Sequence, residues 1–160
     1  MRPYIDRDRT LLVGWLDAAV WEALPSEVHR EPPDGLLERR LADPDGGMAL
    51  WVDGTPVSLA GFGGTTPNGI RIGPVYTPPE SRRRGYATAL VAAMTRMLLE
   101  GGRAFCFLYT DLANPTSNSI YQRIGYRQVG EADQYVFENA PDREASAREG
   151  PAEERPGGRR

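Results

Sequence analysis

Seven consecutive residues, Arg82-Arg83-Arg84-Gly85-Tyr86-Ala87-Thr88, bring three guanidinium groups and a glycine to the start of a helical pattern. A helix begins with amides that have no partner inside it, and its dipole puts partial positive charge there. Glycine admits close approach of a ligand to the backbone, and arginine forks match phosphate oxygens. Such a turn suits a phosphate-bearing ligand. Taken alone, the arginine triplet also reads as a solvated charge run. Downstream stands a second polar group, Asn114-x-x-Ser117-Asn118-x-Ile120-Tyr121, closed by Gly125-Tyr126. Asn114 suits a helix N-cap. Tyr121 offers a phenol with an unperturbed pKa of about 10, protonated at neutral pH.

The elements that hold these groups follow from the pattern around them. Ile70, Ile72, Val75, Tyr76 and Thr77 favour an extended chain, which Pro78-Pro79 must end. Gly73-Pro74 inside that run marks a bulge or missing ladder bonds. From Ala87 the residues Leu90, Val91, Met94, Met97 and Leu98 fall on one helical face, and Gly101-Gly102 stops the helix. Ala104 to Tyr109 is a nearly continuous apolar run, which predicts a strand parallel to its neighbour and buried on both faces. Ile70–Thr77, the helix and Ala104–Thr110 therefore form a right-handed βαβ crossover.

Upstream, Asp8 to Leu24 has helical spacing, with Asp8 as a possible cap and Pro25 as the stop. A short helix, Gly35 to Leu41, follows Pro32-Pro33-Asp34. The two helices either cover a sheet face or line a cleft. Met48–Val52, Asp53-Gly54 and Pro56–Phe62 predict a hairpin. Gly61-Phe62-Gly63-Gly64 has no helix after it and reads as a flexible connection rather than a phosphate loop. A last hairpin is expected from Tyr126–Val129 and Gln134–Phe137. One domain spans 1–139, and residues 140–160 lack apolar periodicity and are expected to be a disordered tail.

Composition excludes several classes. With 160 residues, 40% hydrophobic and 26% charged, the chain fits one globular domain. A net charge of -3 opposes general nucleic-acid binding. All 19 basic residues are arginine, which removes lysine nucleophiles, Schiff bases and lysine-dependent phosphate loops. One cysteine, Cys106, cannot form an internal disulfide. No apolar run reaches membrane-spanning length and the N-terminus lacks a signal-peptide core, so the expectation is a cytoplasmic protein with no membrane partner.

Arg82-x-x-Gly85-x-Ala87 after a strand and Pro78-Pro79-Glu80, followed by Asn114-x-x-Ser117-x-x-Ile120-Tyr121-x-x-x-Gly125-Tyr126, resembles the two signatures of the GNAT N-acyltransferase superfamily. The resemblance covers roughly Gly47 to Glu138 and is closest to bacterial members of unassigned substrate. It implies an α/β fold with a mixed, mostly antiparallel sheet, a central splayed parallel strand pair and helices on both faces. It also implies acetyl-CoA as co-substrate, a primary amine on a small molecule or protein as acceptor, and no metal. By resemblance, Arg82, Arg83, Arg84, Gly85, Tyr86, Ala87 and Thr88 bind the pyrophosphate or ribose phosphate. Val75, Tyr76 and Thr77 offer backbone to the pantetheine and an amide to the oxyanion, and Asn114 and Asn118 contact the pantetheine arm. Tyr121 is the general acid of a direct attack in a ternary complex.

The base stays open among Glu80, Asp111, Glu131, Asp133, His29, a water relay or an amine captured neutral. Cys106, inside an apolar strand, is expected to be buried and inert, which opposes a ping-pong route. Only Arg2 to Ile5 could supply the family's first strand, so the chain is read as shortened or as completed in a homodimer. The alternative class is a non-catalytic acyl-CoA-binding or regulatory module.

Overall fold

A computed structural model describes residues 1–23 and 32–133. Contacts within the chain divide it into a unit Met1–Val129 and a second unit Gly130–Arg160, of which only residues 130–133 are described. The expected disordered tail, Gln134–Phe137 and His29 lie outside the described residues.

Five strands form one sheet in sequence order: β1 (Arg2–Pro3), β2 (Gly47–Asp53), β3 (Thr55–Gly63), β4 (Gly69–Tyr76) and β5 (Phe105–Phe107). The first four run antiparallel to their neighbours, and β5 runs parallel to β4. The parallel pair is short: Gly69, Ile70 and Arg71 match Phe105, Cys106 and Phe107, and beyond Arg71 the two strands pair no further. The sheet is the mixed, splayed one that the resemblance implies. The first strand is present in two residues, with Arg2 opposite Leu50 and Pro3 opposite Ala49. Tyr4 extends it by donating its amide to the Met48 carbonyl at 2.9 Å.

Asp8 secures this entry rather than capping the first helix. Its buried carboxylate accepts two bonds from the Arg2 guanidinium, at 2.5 and 2.8 Å, and one from the Ile5 amide at 3.1 Å. The Arg2 bonds, ahead of the Ile5 amide, hold its carboxyl below the ordinary range.

Helices cover both faces of the sheet. On one side α1 (Arg9–Ala23) and α2 (Pro33–Ala42) bury Leu12, Leu16 and Leu37 against Met48, Leu50, Leu59 and Tyr76. On the other, α3 (Tyr86–Glu100) buries Leu90, Val91, Met94 and Leu98 against Ala49, Ala60, Ile70 and Ile72. The first two helices therefore pack on a sheet face. The last helix, α4 (Pro115–Ile124), has no buried residue and rests Tyr121 and Ile124 on the α3 cluster.

Two faces alternate along a strand, so β4 needs an extra residue to serve both clusters. Ile70 and Ile72 lie under α3, yet Val75 also packs against that cluster and Tyr76 against the opposite one. The register shifts between Ala60–Val75 and Phe62–Ile72, so Gly73 and Pro74 together face Gly61. This is the bulge that Gly73-Pro74 predicts. Gly73 has φ +141°, a conformation that only glycine adopts readily.

Three expectations are corrected. Gly61 to Gly63 is strand, not a flexible connection, because Gly61, Phe62 and Gly63 pair with neighbours. The apolar run Ala104–Tyr109 contains only a three-residue strand and is not buried on both faces. Among the described residues β5 pairs along one edge only, and Phe105 and Tyr109 are 48% and 70% exposed. Tyr126–Val129 carries no strand, and Val129 stands 97% exposed; β structure depends on a paired neighbour, and none pairs with it here among the described residues.

Candidate functional site

The site begins where β4 ends. Pro78 starts a 3₁₀ turn over Pro79–Ser81, which lets the chain leave the sheet at once. Arg83 follows at φ +61°, a strained setting for a side chain with a β-carbon, and Gly85 at φ +82°. These two left-handed residues fold the arginine loop sharply onto the start of α3. Gly85 has no side chain to cap that start, and the first amide bonded within the helix is Ala89 to the Gly85 carbonyl, at 2.9 Å. Among the described residues the amides of Tyr86, Ala87 and Thr88 have no partner, as is usual in a helix's first turn. Open space lies where a Gly85 β-carbon would stand. Helix starts of this kind favour negative charge.

The arginines divide their work. Arg82 turns back: its Nε donates to the Thr77 carbonyl at 2.8 Å, and its Nη2 donates to both Glu22 oxygens of α1 at 2.7 Å. The Glu22 bond, above all, raises its pKa. This side chain ties the loop to β4 and α1 rather than reaching outward. Arg84 lies over the Tyr86 ring, 5.0 Å from its centroid, and 3.8 Å from Asp53. The Tyr86 hydroxyl also donates to Asp53, which holds its proton more tightly than usual. Arg83 makes no ion pair among the described residues.

Residues 72–77 lie beyond the last β4–β5 pair, so one edge of Val75, Tyr76 and Thr77 is unpaired among the described residues. The other edge is held by β3 and by Ser58, whose buried hydroxyl donates to the Tyr76 carbonyl at 3.0 Å. The Tyr76 side chain belongs to the α1 cluster, against Trp15. Only its backbone can serve a ligand on the open edge.

On the β5 side, Asn114 caps α4: its Oδ1 accepts the Ser117 amide at 3.0 Å. Asn118 donates its Nδ2 to the Asp111 and Leu112 carbonyls, at 3.2 and 3.3 Å, and so pins the preceding loop. One turn on, Tyr121 packs edge-on to Tyr126, centroids 6.1 Å apart. Burial raises the Tyr121 pKa, and its hydroxyl makes no hydrogen bond among the described residues. Tyr126 shares a 2.7 Å bond with Thr95, and burial first of all pushes its pKa up to about 12. Of these two phenols, Tyr121 is the one whose hydroxyl has no partner among the described residues. Cys106 is half-buried, and desolvation raises its pKa, so it is a thiol rather than a nucleophilic thiolate at neutral pH.

Among the base candidates, Glu80 sits in the 3₁₀ turn and Asp111 accepts the Ala113 amide at 2.8 Å, both local roles. Glu131 and Asp133 belong to the second unit. Sequence reasoning missed Glu22, Asp53 and Ser58, which hold Arg82, Tyr86 and Tyr76. No spacing rule joins residues 60 or 33 positions apart. No metal-binding cluster and no helix long and apolar enough to cross a membrane occur among the described residues.

A family model described as FR47-like protein matches residues 52–136, just over half of the chain. No curated protein matches. Among solved structures, the chain is similar to an aminoglycoside N-acetyltransferase in complex with CoA, at TM-score 0.64 and 18% identity over 86% of this chain and 98% of that one. It is also similar to a ribosomal-protein-alanine N-acetyltransferase from Brucella melitensis, at TM-score 0.67 and 19% identity over 81% and 85%. A transcriptional regulator from Bacillus halodurans C-125 aligns at TM-score 0.68 and 17% identity over 85% and 97%. At such identities the likeness is one of fold.

Proposed function

The chain belongs to the FR47-like family and has the GNAT fold, and from that premise we propose that it transfers an acetyl group from acetyl-CoA to a primary amine of a small molecule or protein. One observation carries the reading: a helix N-terminus without a side-chain cap follows, after one tight loop, a strand whose edge beyond Arg71 is unpaired among the described residues. The amides of Tyr86, Ala87 and Thr88 receive the pyrophosphate, with Gly85 leaving room and the helix dipole favouring the charge. Arg83 and Arg84 add charge-assisted contacts to phosphate oxygens. Arg82 acts on the ligand through the loop it ties to Thr77 and Glu22. The open edge of Val75, Tyr76 and Thr77 bonds the pantetheine, with Asn114 and Asn118 fixing the loop on its far side.

In the reaction the neutral amine attacks the thioester carbon, forming the C–N bond while an amide of the open edge stabilises the oxyanion. The C–S bond then breaks, its electron pair leaves on sulfur, and the surplus proton on nitrogen passes to water. Burial keeps Tyr121 protonated, and it widens the gap by which a phenol, with an ordinary pKa of about 10, is already a weaker acid than a thiol of about 8.5. Its contribution is therefore a hydrogen bond to the sulfur as charge develops; the proton it delivers as the thiol leaves is returned to the phenolate by the water that took the amine's proton. No acetyl-cysteine is formed, since Cys106 is held as the thiol.

Release of CoA thiol is followed with acetyl-CoA and a panel of amines. Tyr121→Phe is expected to lower kcat by on the order of a hundredfold with little change in acetyl-CoA affinity. Equal rates would remove Tyr121 from its role. The rival reading, acyl-CoA binding without turnover, draws on one observation: a fold neighbour bears the name transcriptional regulator. Tight CoA binding with no product from any amine would favour it.

A further inference from the structure

A cavity of about 270 Å³ lies on the α2 side of the splayed strands, lined by Leu36, Arg40, Arg71, Gly73, Pro74 and Tyr109 among others. It touches the bulge itself, so it borders the point from which the unpaired edge of β4 begins. Its volume is just under that of the smallest usual ligand pockets, roughly 300 Å³, so it suits a small molecule or one group of a larger one. Two of its lining residues are arginines, and no acidic residue lines it.

Arg71 is the unusual one. It interrupts two buried isoleucines, Ile70 and Ile72, and strand alternation turns it away from α3 toward α2. It is also the last β4 residue paired to β5, opposite Phe107, at the apex of the splay. Arg40, 5% exposed, has the Asp43 carboxylate beside it at Gly63. Arg71 is half-buried and makes no ion pair among the described residues. A guanidinium drawn partly out of water is stabilised by an opposite charge, and an acceptor can supply it. Arg71 and Val75 stand opposite Gly63 and Ala60, so across the bulge they are about 10 Å apart along the strand. An arginine side chain and a molecule of amino-acid size span that together.

Resting on the proposed acetyl transfer, we propose that Arg71 selects the acceptor by holding an anionic group on it, so that the favoured substrate is a small amine that also carries a carboxylate or a phosphate. Arg40, with Asp43 beside it, adds little net charge. A polycationic amine such as an aminoglycoside meets the uncompensated Arg71 here and is a poor acceptor.

The test compares kcat/KM within matched pairs: glycine against glycinamide, and phosphoethanolamine against ethanolamine, with neamine as the polycation. Wild type is expected to favour the anionic member of one pair by about ten- to hundredfold, and which pair it is separates carboxylate from phosphate. Arg71→Gln abolishes the preference, Arg71→Lys restores part of it, and acetyl-CoA affinity is unchanged in both. Equal rates within both pairs, or a preference retained by Arg71→Gln, overturn the proposal. If no amine is acetylated, the transfer reading fails, and the cavity is probed directly. Saturation-transfer NMR then follows N-acetylglycine and N-acetylglycinamide in the presence of CoA. Selective binding of the acid that Arg71→Gln loses upholds the anion site; equal binding of acid and amide overturns it.

Discussion

The helices that follow the two parallel strands begin in opposite ways. Helix α4 is closed by its own side chain, the Asn114 Oδ1 on the Ser117 amide, and Asn118 binds the loop before it. Helix α3 starts at a glycine that can cap nothing, behind an arginine in the left-handed region. They differ as much in their bodies. Leu90, Val91, Met94 and Leu98 of α3 are buried, whereas α4 buries none of its residues. A ten-residue helix with no fully buried residue, touching the core only through Tyr121 and Ile124, is marginal and leans on its cap. A helix held by four core residues can leave its first amides unsatisfied. Burial along α3 is what makes an open anion site at its end tolerable.

The largest effect should separate the two bodies. Leu90→Ala is expected to cost about 2–5 kcal/mol in urea unfolding, and Ile124→Ala no more than about 1 kcal/mol. Equal losses would erase the contrast. Gly85→Val should come next, destabilising by about 1–3 kcal/mol through its φ of +82°. It should also abolish CoA binding in calorimetry, and full CoA affinity in the folded variant would mean the open terminus is not the site. The smallest change is Asn114→Ala, at about 1 kcal/mol, read as faster hydrogen exchange at the Ser117 amide. Undiminished protection there would show that α4 does not rely on its cap.

Much of this arrangement was legible in the residues. Leu90, Val91, Met94 and Leu98 announced the buried face of α3, although Met97, read on the same face, stands 40% exposed, and Asp53-Gly54 announced the β2–β3 turn, because both signals are local. Gly73-Pro74 announced the bulge for the same reason. The run Ala104–Tyr109 misled, since apolar content reports a preference for burial and not whether a neighbouring strand arrives to provide it. The arginine triplet was legible as a group but not residue by residue. Only the fold brings Glu22 to Arg82 and Asp53 to Tyr86. Arg71 could have been noticed as the charge between two isoleucines, but its unanswered charge became visible only once its surroundings were known.

The bulge at Gly73-Pro74 acts on β4 as a change of reading frame acts on a message. Before it, odd-numbered residues look toward α2; after it, they look toward α3. Deleting one of the two residues would leave every amino acid downstream intact and reverse the side to which each belongs. Val75 and Tyr76 would exchange faces, and the loop carrying Gly85 would leave the sheet out of phase. A single residue of length therefore keeps the face that bears Arg71 and the edge that leads to α3 in step.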